Sequence, residues 1–370
     1  MHKEKLFSQL TVGQLTFKNR IFMAPMTRSR ALGYIPDDLM AEYYSQRASA
    51  GLIITEGSQV SEQGIGYTDT PGIHNDQQVQ GWKKVTDAVH EKGGLIFCQL
   101  WHVGRASHPD FLNGNLPVAP SAIPFKVEIH TPSGPKTSVT PRELTLEEIQ
   151  KIIGDHKNAA LMAKKAGFDG VEIHGANGYL PAQFLEDGSN HRNDIYGGNV
   201  ENRSRFLLAI TEVAIDVWGK ERVSVHLSPR NPFMGMKDSE PEKTYLSLVK
   251  ALEERKLGIL HLVEAVQLPE GVKPLAPAIR KAFSGTLILN TGYTQSTAEE
   301  ALESGRADAI SFGILFLANP DLPERFKLKA KLNPPDKKTF YGGGAQGFTD
   351  YPKLAQPTAK SHKKIASTKK

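Results

Sequence analysis

Short apolar runs rich in Val, Ile and Leu alternate with longer stretches of helical spacing through most of the chain. The runs are NRIFMAPM (19–26), GLIITEGS (51–58), GLIFCQLWH (94–102), FDGVEIHGA (168–176), RVSVHLSP (222–229), GILHLVE (258–264), GTLILNTG (285–292) and ADAISFG (307–313). Each reads as a strand, and intervening segments such as 76–92 and 145–166 read as helices. The helix over 145–166 opens on the capping box Thr145-Leu146-Glu147-Glu148. Eight β/α repeats predict an α/β chain folded as a single closed (β/α)8 TIM barrel, with its chemistry at the C-terminal ends of the strands.

One connection departs from the pattern. Residues 103–144 are rich in Pro and Ser and carry alternating segments such as KVEIHT and TSVTPREL. A loop of that length after strand three predicts a small hairpin cap over the site. The barrel is expected to occupy 1–358, and the lysine-rich residues 359–370 are expected to form a disordered basic tail. A literal G-x-G-x-x-G over Gly342–Gly347 has no βαβ unit left to serve, so it does not signal a dinucleotide fold.

Charge changes the picture only after it is located. The net charge is +5, but the last eleven residues, KSHKKIASTKK, hold five lysines and no acid, so the rest is balanced near zero (+5 − 5 = 0). The body therefore carries no basic footprint for nucleic acid. No apolar run is long enough to cross a membrane, and MHKEKLFSQL has no signal-like apolar region. With a single Cys98, the chain is expected to be cytoplasmic.

The strand ends are polar: Thr27, Gly57, Gln99 and Trp101, then His174-Gly175-Ala176-Asn177-Gly178-Tyr179. No lysine stands there to form a Schiff base, and no metal-ligand spacing appears. His174 and Asn177 offer two donors for one carbonyl or nitro oxygen, with the Tyr179 phenol two residues on to deliver a proton. The same three residues also suit a loop that satisfies its own backbone, and spacing alone leaves both readings open. Cys98 is expected in the helix layer, and His102 and His108 are expected to shape the loop after strand three. Arg28 and Arg30 fit either the surface or the edge of a ligand.

Longer motifs narrow this. APMTRSRA, AEYYSQRASAGLIITEGSQVSEQGIGYTDTPGIH, QLWHVGRASHP, VEIHGANGYLPAQFLEDGSNHRNDIYGG, ENRSRF, ANPDLPERF and FYGGGAQGFTDYP, in this order between about residues 5 and 355, resemble the old yellow enzyme family, in its N-ethylmaleimide reductase-like branch. The resemblance implies FMN across the barrel mouth, reduced by NAD(P)H and re-oxidised by hydride transfer to an α,β-unsaturated carbonyl or nitro compound. By the same resemblance His174 and Asn177 bind the substrate oxygen, or a phenolic ligand, and Tyr179 protonates the α-carbon. Pro25, Met26, Thr27, Gly57 and Gln99 contact the flavin, while Trp101 and Tyr341 line the substrate pocket.

Three positions depart from the family pattern, and all are flavin contacts. His226 stands where the family has an arginine at the ring. Thr291, before Gly292, stands at a phosphate-binding glycine. In SFGILFLANPD (311–321), read as a strand ending at Gly313 and a helix opening near Asn319, Ile314 stands at a phosphate-clamping arginine. Losing two charge-assisted bonds costs roughly 3–6 kcal/mol, a ~10²–10⁴-fold weakening. His226 when protonated, or Arg230 turned inward, are the candidates for restoring charge. The expectation is an ene reductase that holds FMN weakly. The alternative is a flavin-poor or flavin-free relative that binds a small oxygen-bearing ligand at His174 and Asn177, whether as a monomer or a homo-oligomer.

Overall fold

A computed structural model describes residues 4–263, 268 and 271–355. Eight parallel strands, β1 (Ile21–Met23), β2 (Ile53–Gln59), β3 (Ile96–Trp101), β4 (Gly170–Gly175), β5 (Val223–Leu227), β6 (Ile259–Val263), β7 (Thr286–Asn290) and β8 (Ala309–Phe312), close into a barrel in sequence order. β8 pairs with β1, Ile310 opposite Ile21, so the sheet has no free edge. Seven of the predicted runs contain their strands, and the run 51–58 falls one residue short of the end of β2 at Gln59. Glu264, the last residue of one run, and the tail over 359–370 lie outside the described residues.

Helices cover the outside of the barrel: α1 (Asp38–Gln46), α2 (Asp76–His90), α3 (Leu146–Lys165), α4 (Leu180–Leu185), α5 (Val200–Trp218), α6 (Pro241–Glu254), α7 (Ala276–Ala282), α8 (Gln295–Glu303), α9 (Ile314–Ala318) and α10 (Leu322–Leu328). α3 starts as its capping box requires. The Thr145 hydroxyl accepts from Glu148 N at 3.2 Å, and the Glu148 carboxylate accepts from Thr145 N at 2.9 Å. The helix after β8 differs from the expectation: α9 begins at Ile314 itself, and a second helix, α10, follows Asp321. α10 is the helix expected to open near Asn319, and α9 is an additional short helix between Gly313 and it, kept separate by Pro320, which has no N–H to donate within a helix interior.

The barrel interior is graded. An N-terminal hairpin of Leu10–Val12 and Leu15–Phe17 packs Val12, Leu15 and Phe17 against Phe22, Ile54, Phe97, Ile259 and Ile288, making an apolar plug at the start of the strands. One turn higher the inward residues become polar. Glu172, fully buried, accepts from Gln99 Nε2 at 3.0 Å and Ser224 Oγ at 2.8 Å, and pairs with His261 Nδ1 at 3.0 Å. His261 Nε2 in turn meets Ser311 Oγ at 2.7 Å. Each buried polar atom so paired avoids a desolvation cost of about 1–3 kcal/mol. Above this layer the barrel opens.

The long connection after β3 contains an antiparallel hairpin, Glu128–Thr131 with Gly134–Thr137, and a parallel pair, Val118–Ala119 with Arg142–Glu143. A second covering element comes from the C-terminal side. Arg28 donates to the carbonyls of Phe340 at 2.9 Å and Gly347 at 2.8 Å, and Arg30 to Gly344 and Thr339 at 3.0 Å each. Neither arginine is a surface charge. Together they hold a strap over 339–348, which contains the G-x-G-x-x-G run, against the loop after β1.

Candidate active site

A cavity of about 320 Å³ opens at the C-terminal end of the strands, lined by Pro25, Met26, Thr27, Gly57, Gln99, Trp101, His174, Asn177, Tyr179, His226, Phe233, Ile314, Leu317, Phe340 and Tyr341. Twelve of the fifteen residues singled out from the sequence thus meet in one wall. Thr291, Gly292 and Gly313 are not part of it.

The loop after β4 sets the polar corner. Asn177 (φ 55°) and Gly178 (φ 72°) are consecutive left-handed residues, a conformation Asn tolerates and Gly adopts freely. A Cβ on Gly178 would also lie 2.8 Å from the Phe233 carbonyl, so any side chain there pushes the Phe233 loop away. Asn177 N donates to Ser228 Oγ at 2.7 Å, and Asn177 Oδ1 accepts from Asn231 Nδ2 at 3.0 Å. That bond orients the Asn177 amide and leaves both Nδ2 N–H donors without a partner among the described residues. Tyr179 then caps α4, whose first turn contains Pro181.

Aromatic packing fixes the remaining side chains. Trp101 lies edge-on to Tyr179 at 5.1 Å and stacks under Tyr67 at 5.2 Å. His174 meets Tyr179 edge-on at 4.9 Å. Gly57 leaves the room this requires, because a Cβ there would sit 2.7 Å from the Trp101 ring. The Tyr67 and Tyr179 hydroxyls are 3.0 Å apart.

His174, His226 and Tyr179 are held neutral. Burial pushes His174 down to about 3, with the neighbouring His261 adding to the effect. His226 is lowered well below its usual value by burial, then by His261 and His174. Burial, reinforced by Tyr67, raises the Tyr179 phenol well above the ordinary value of 10.0, so it keeps its proton. Three buried polar atoms of the wall, Trp101 Nε1, His174 Nδ1 and His226 Nε2, have no partner within the described residues. They are the groups a ligand would satisfy.

The structure resolves several open points. His226 stacks on His261 at 4.2 Å with rings 16° from parallel, and its Nδ1 lies 3.2 Å from Gln99 Nε2. Both Nδ1 atoms face the Glu172 carboxylate, that of His226 at 3.7 Å and that of His261 at 3.0 Å, so the three side chains form one buried cluster. Arg230 does not turn inward; it donates to the Lys273 carbonyl and lines a separate small pocket with Pro229 and Leu262. Cys98 is buried, its thiol pushed up to about 12, as a packed core residue. His102 and His108 accept from Gly104 N at 3.1 Å and Asp110 N at 3.2 Å, shaping their loop.

Some site residues escaped the sequence reading. Tyr67 lies in the quoted GIGYTDTPG stretch after strand two, and Asn231 and Phe233 follow strand five, so barrel logic marks all three as face residues. Leu317 and Phe340 carry no such signal; α9 and the strap bring them in.

Residues 5–333 match the model of the NADH:flavin oxidoreductase / NADH oxidase family. The chain is 42% identical to 12-oxophytodienoate reductase 7 of Oryza sativa subsp. japonica, over 96% of each chain. It is 41% identical to flavin oxidoreductase hxnT of Emericella nidulans, over 94% of this chain and 97% of that one. Among solved structures, the old yellow enzyme homologue from Zymomonas mobilis superposes with a TM-score of 0.91 at 48% identity, covering 94% of this chain and 99% of that one. Morphinone reductase in complex with tetrahydroNAD superposes at 0.90 and 46%, covering 95% and 98%. The chain belongs to the NADH:flavin oxidoreductase / NADH oxidase family, the old yellow enzyme family of NAD(P)H-dependent ene reductases.

Proposed function

We propose that the cavity reduces the carbon–carbon double bond of α,β-unsaturated carbonyl or nitro compounds. The observation that carries this reading is the convergence of two neutral donors and one protonated phenol. His174 and the Asn177 amide hydrogen-bond the substrate oxygen and draw electron density from the β-carbon. Tyr179 O–H gives its proton to the α-carbon and regains one through Tyr67, 3.0 Å away and partly exposed. Trp101, Phe233 and Tyr341 give the carbon skeleton an apolar wall. A phenolic ligand would occupy the same oxygen site.

The hydride is supplied by flavin, itself reduced by NAD(P)H, when flavin is bound. Thr27, whose hydroxyl makes no hydrogen bond among the described residues, and Gly57, with no side chain, would hold the flavin ring together with Pro25 and Met26 of the same wall. Gln99 Nε2 is spent on Glu172 and His226, which leaves its carbonyl oxygen for a ring N–H. The residues fit the ring; they offer its phosphate no charge. That the solved morphinone reductase carries a nicotinamide analogue supports NAD(P)H as the second visitor to the cavity.

The two electrons balance: NAD(P)H is oxidised to NAD(P)⁺, and the alkene gains one hydride at the β-carbon and one proton at the α-carbon. Anaerobic incubation with excess flavin, NADH or NADPH, and 2-cyclohexenone should consume one reduced nicotinamide per cyclohexanone formed. Nicotinamide consumption without saturated ketone would refute the reading.

A further inference from the structure

The phosphate of FMN carries close to two negative charges at neutral pH. In (β/α)8 barrels such a group is seated by the loops after strands seven and eight and by the start of a short helix. Here those loops are Thr291-Gly292-Tyr293 and Gly313-Ile314. Ile314 is the first residue of α9, is 50% exposed, and faces the cavity with an apolar side chain. α9 is only five residues long, so its dipole has little to offer an anion. Thr291 sits at φ 83°, where a β-branched side chain is strained, and its hydroxyl donates to Asn290 Oδ1 at 3.0 Å. Among the described residues the cavity wall includes no Lys, Arg, Asp or Glu. Arg230, on the loop after β5, is engaged elsewhere.

The polar part of the wall is built for uncharged recognition. His226 Nε2, buried and unpartnered, lies in the wall with Thr27 and Gln99. We infer that this cavity recognises flavin by its uncharged ring system and not by its phosphate, so that riboflavin binds as well as FMN and either exchanges freely. This rests on the cavity being a flavin site. A dianion placed near Ile314 exchanges water for backbone N–H groups alone, a trade with little net gain.

The test is a fluorescence-quenching titration of flavin-stripped protein with riboflavin and with FMN, at low and high salt. The expected dissociation constants agree within about threefold and are insensitive to salt. Ile314→Arg, alone and with Thr291→Gly, should tighten FMN by about ten- to a hundredfold and leave riboflavin unchanged. A native preference for FMN of tenfold or more that fades with salt would overturn the inference while leaving the flavin site intact. Failure of both flavins to bind would overturn the flavin-site reading and the inference with it.

Discussion

His174 illustrates how burial decides chemistry at the level of one residue. Held down to about 3, it donates a hydrogen bond as a neutral imidazole across the physiological range. His102 (about 3) and His156 (about 4) are likewise buried neutral. All three lie below the unfolded value of about 6.5, so as pH falls through that value the unfolded chain takes up protons that the folded chain refuses. Each such histidine lowers stability by about 1.4 kcal/mol per pH unit until its folded value is reached. Glu56, raised to about 7 by burial, and Glu186, raised to about 8, act in the opposite sense. They keep their protons in the fold, so their contribution is full below about 4.3 and is lost as pH rises. From pH 6.5 to about 4.5 these three histidines and His226, also lowered well below its usual value, outweigh two glutamates by two protons, and below that the histidines act unopposed. Urea unfolding should therefore show stability falling gently from pH 6.5 to 4.5 and steeply beneath it. A profile that is flat or rises toward acid would contradict these assignments.

The strap over 339–348 does work at the level of the element that no periodicity announces. Its carbonyls are collected by Arg28 and Arg30, whose guanidinium groups lie 5.0 and 4.5 Å over the Phe348 ring, itself stacked on Tyr43 at 4.0 Å. Holding that segment places Phe340 and Tyr341 in the cavity wall. Replacing Arg30 with Met removes charge-assisted bonds of about 1.5–3 kcal/mol each. Amide exchange over 340–348 should then quicken by about tenfold or more, with weaker phenol binding and an unchanged barrel. Unaltered exchange in the strap would show that Arg30 does not hold it. The eight strands and α3 were legible because buried runs and a capping box are local signals. The strap was not: carbonyls have no sequence signature, and an arginine bound to them looks the same on paper as one in water. α9 was missed for a related reason, since a five-residue helix has too few turns to show a period.

At the scale of the whole molecule, a barrel brings residues from strands and loops far apart in sequence to one rim. Thr27, Gln99, His174 and Tyr341 are readable as site residues only once closure of the sheet is granted. Motif resemblance identified most of the wall, while the partnering of Asn177 by Asn231 and of Tyr179 by Tyr67 depended on loop geometry that spacing does not encode. The account's central claim is that one cavity serves two reactants and that Tyr179 acts on only one of them. Stopped-flow separation of the half-reactions, with saturating flavin, tests this most directly by comparing native protein with Tyr179→Phe. The account predicts that oxidation of NAD(P)H by the flavin-loaded protein is nearly unchanged, while reduction of the alkene slows by about 10²–10⁴-fold. Equal slowing of both steps, or none in either, would contradict it.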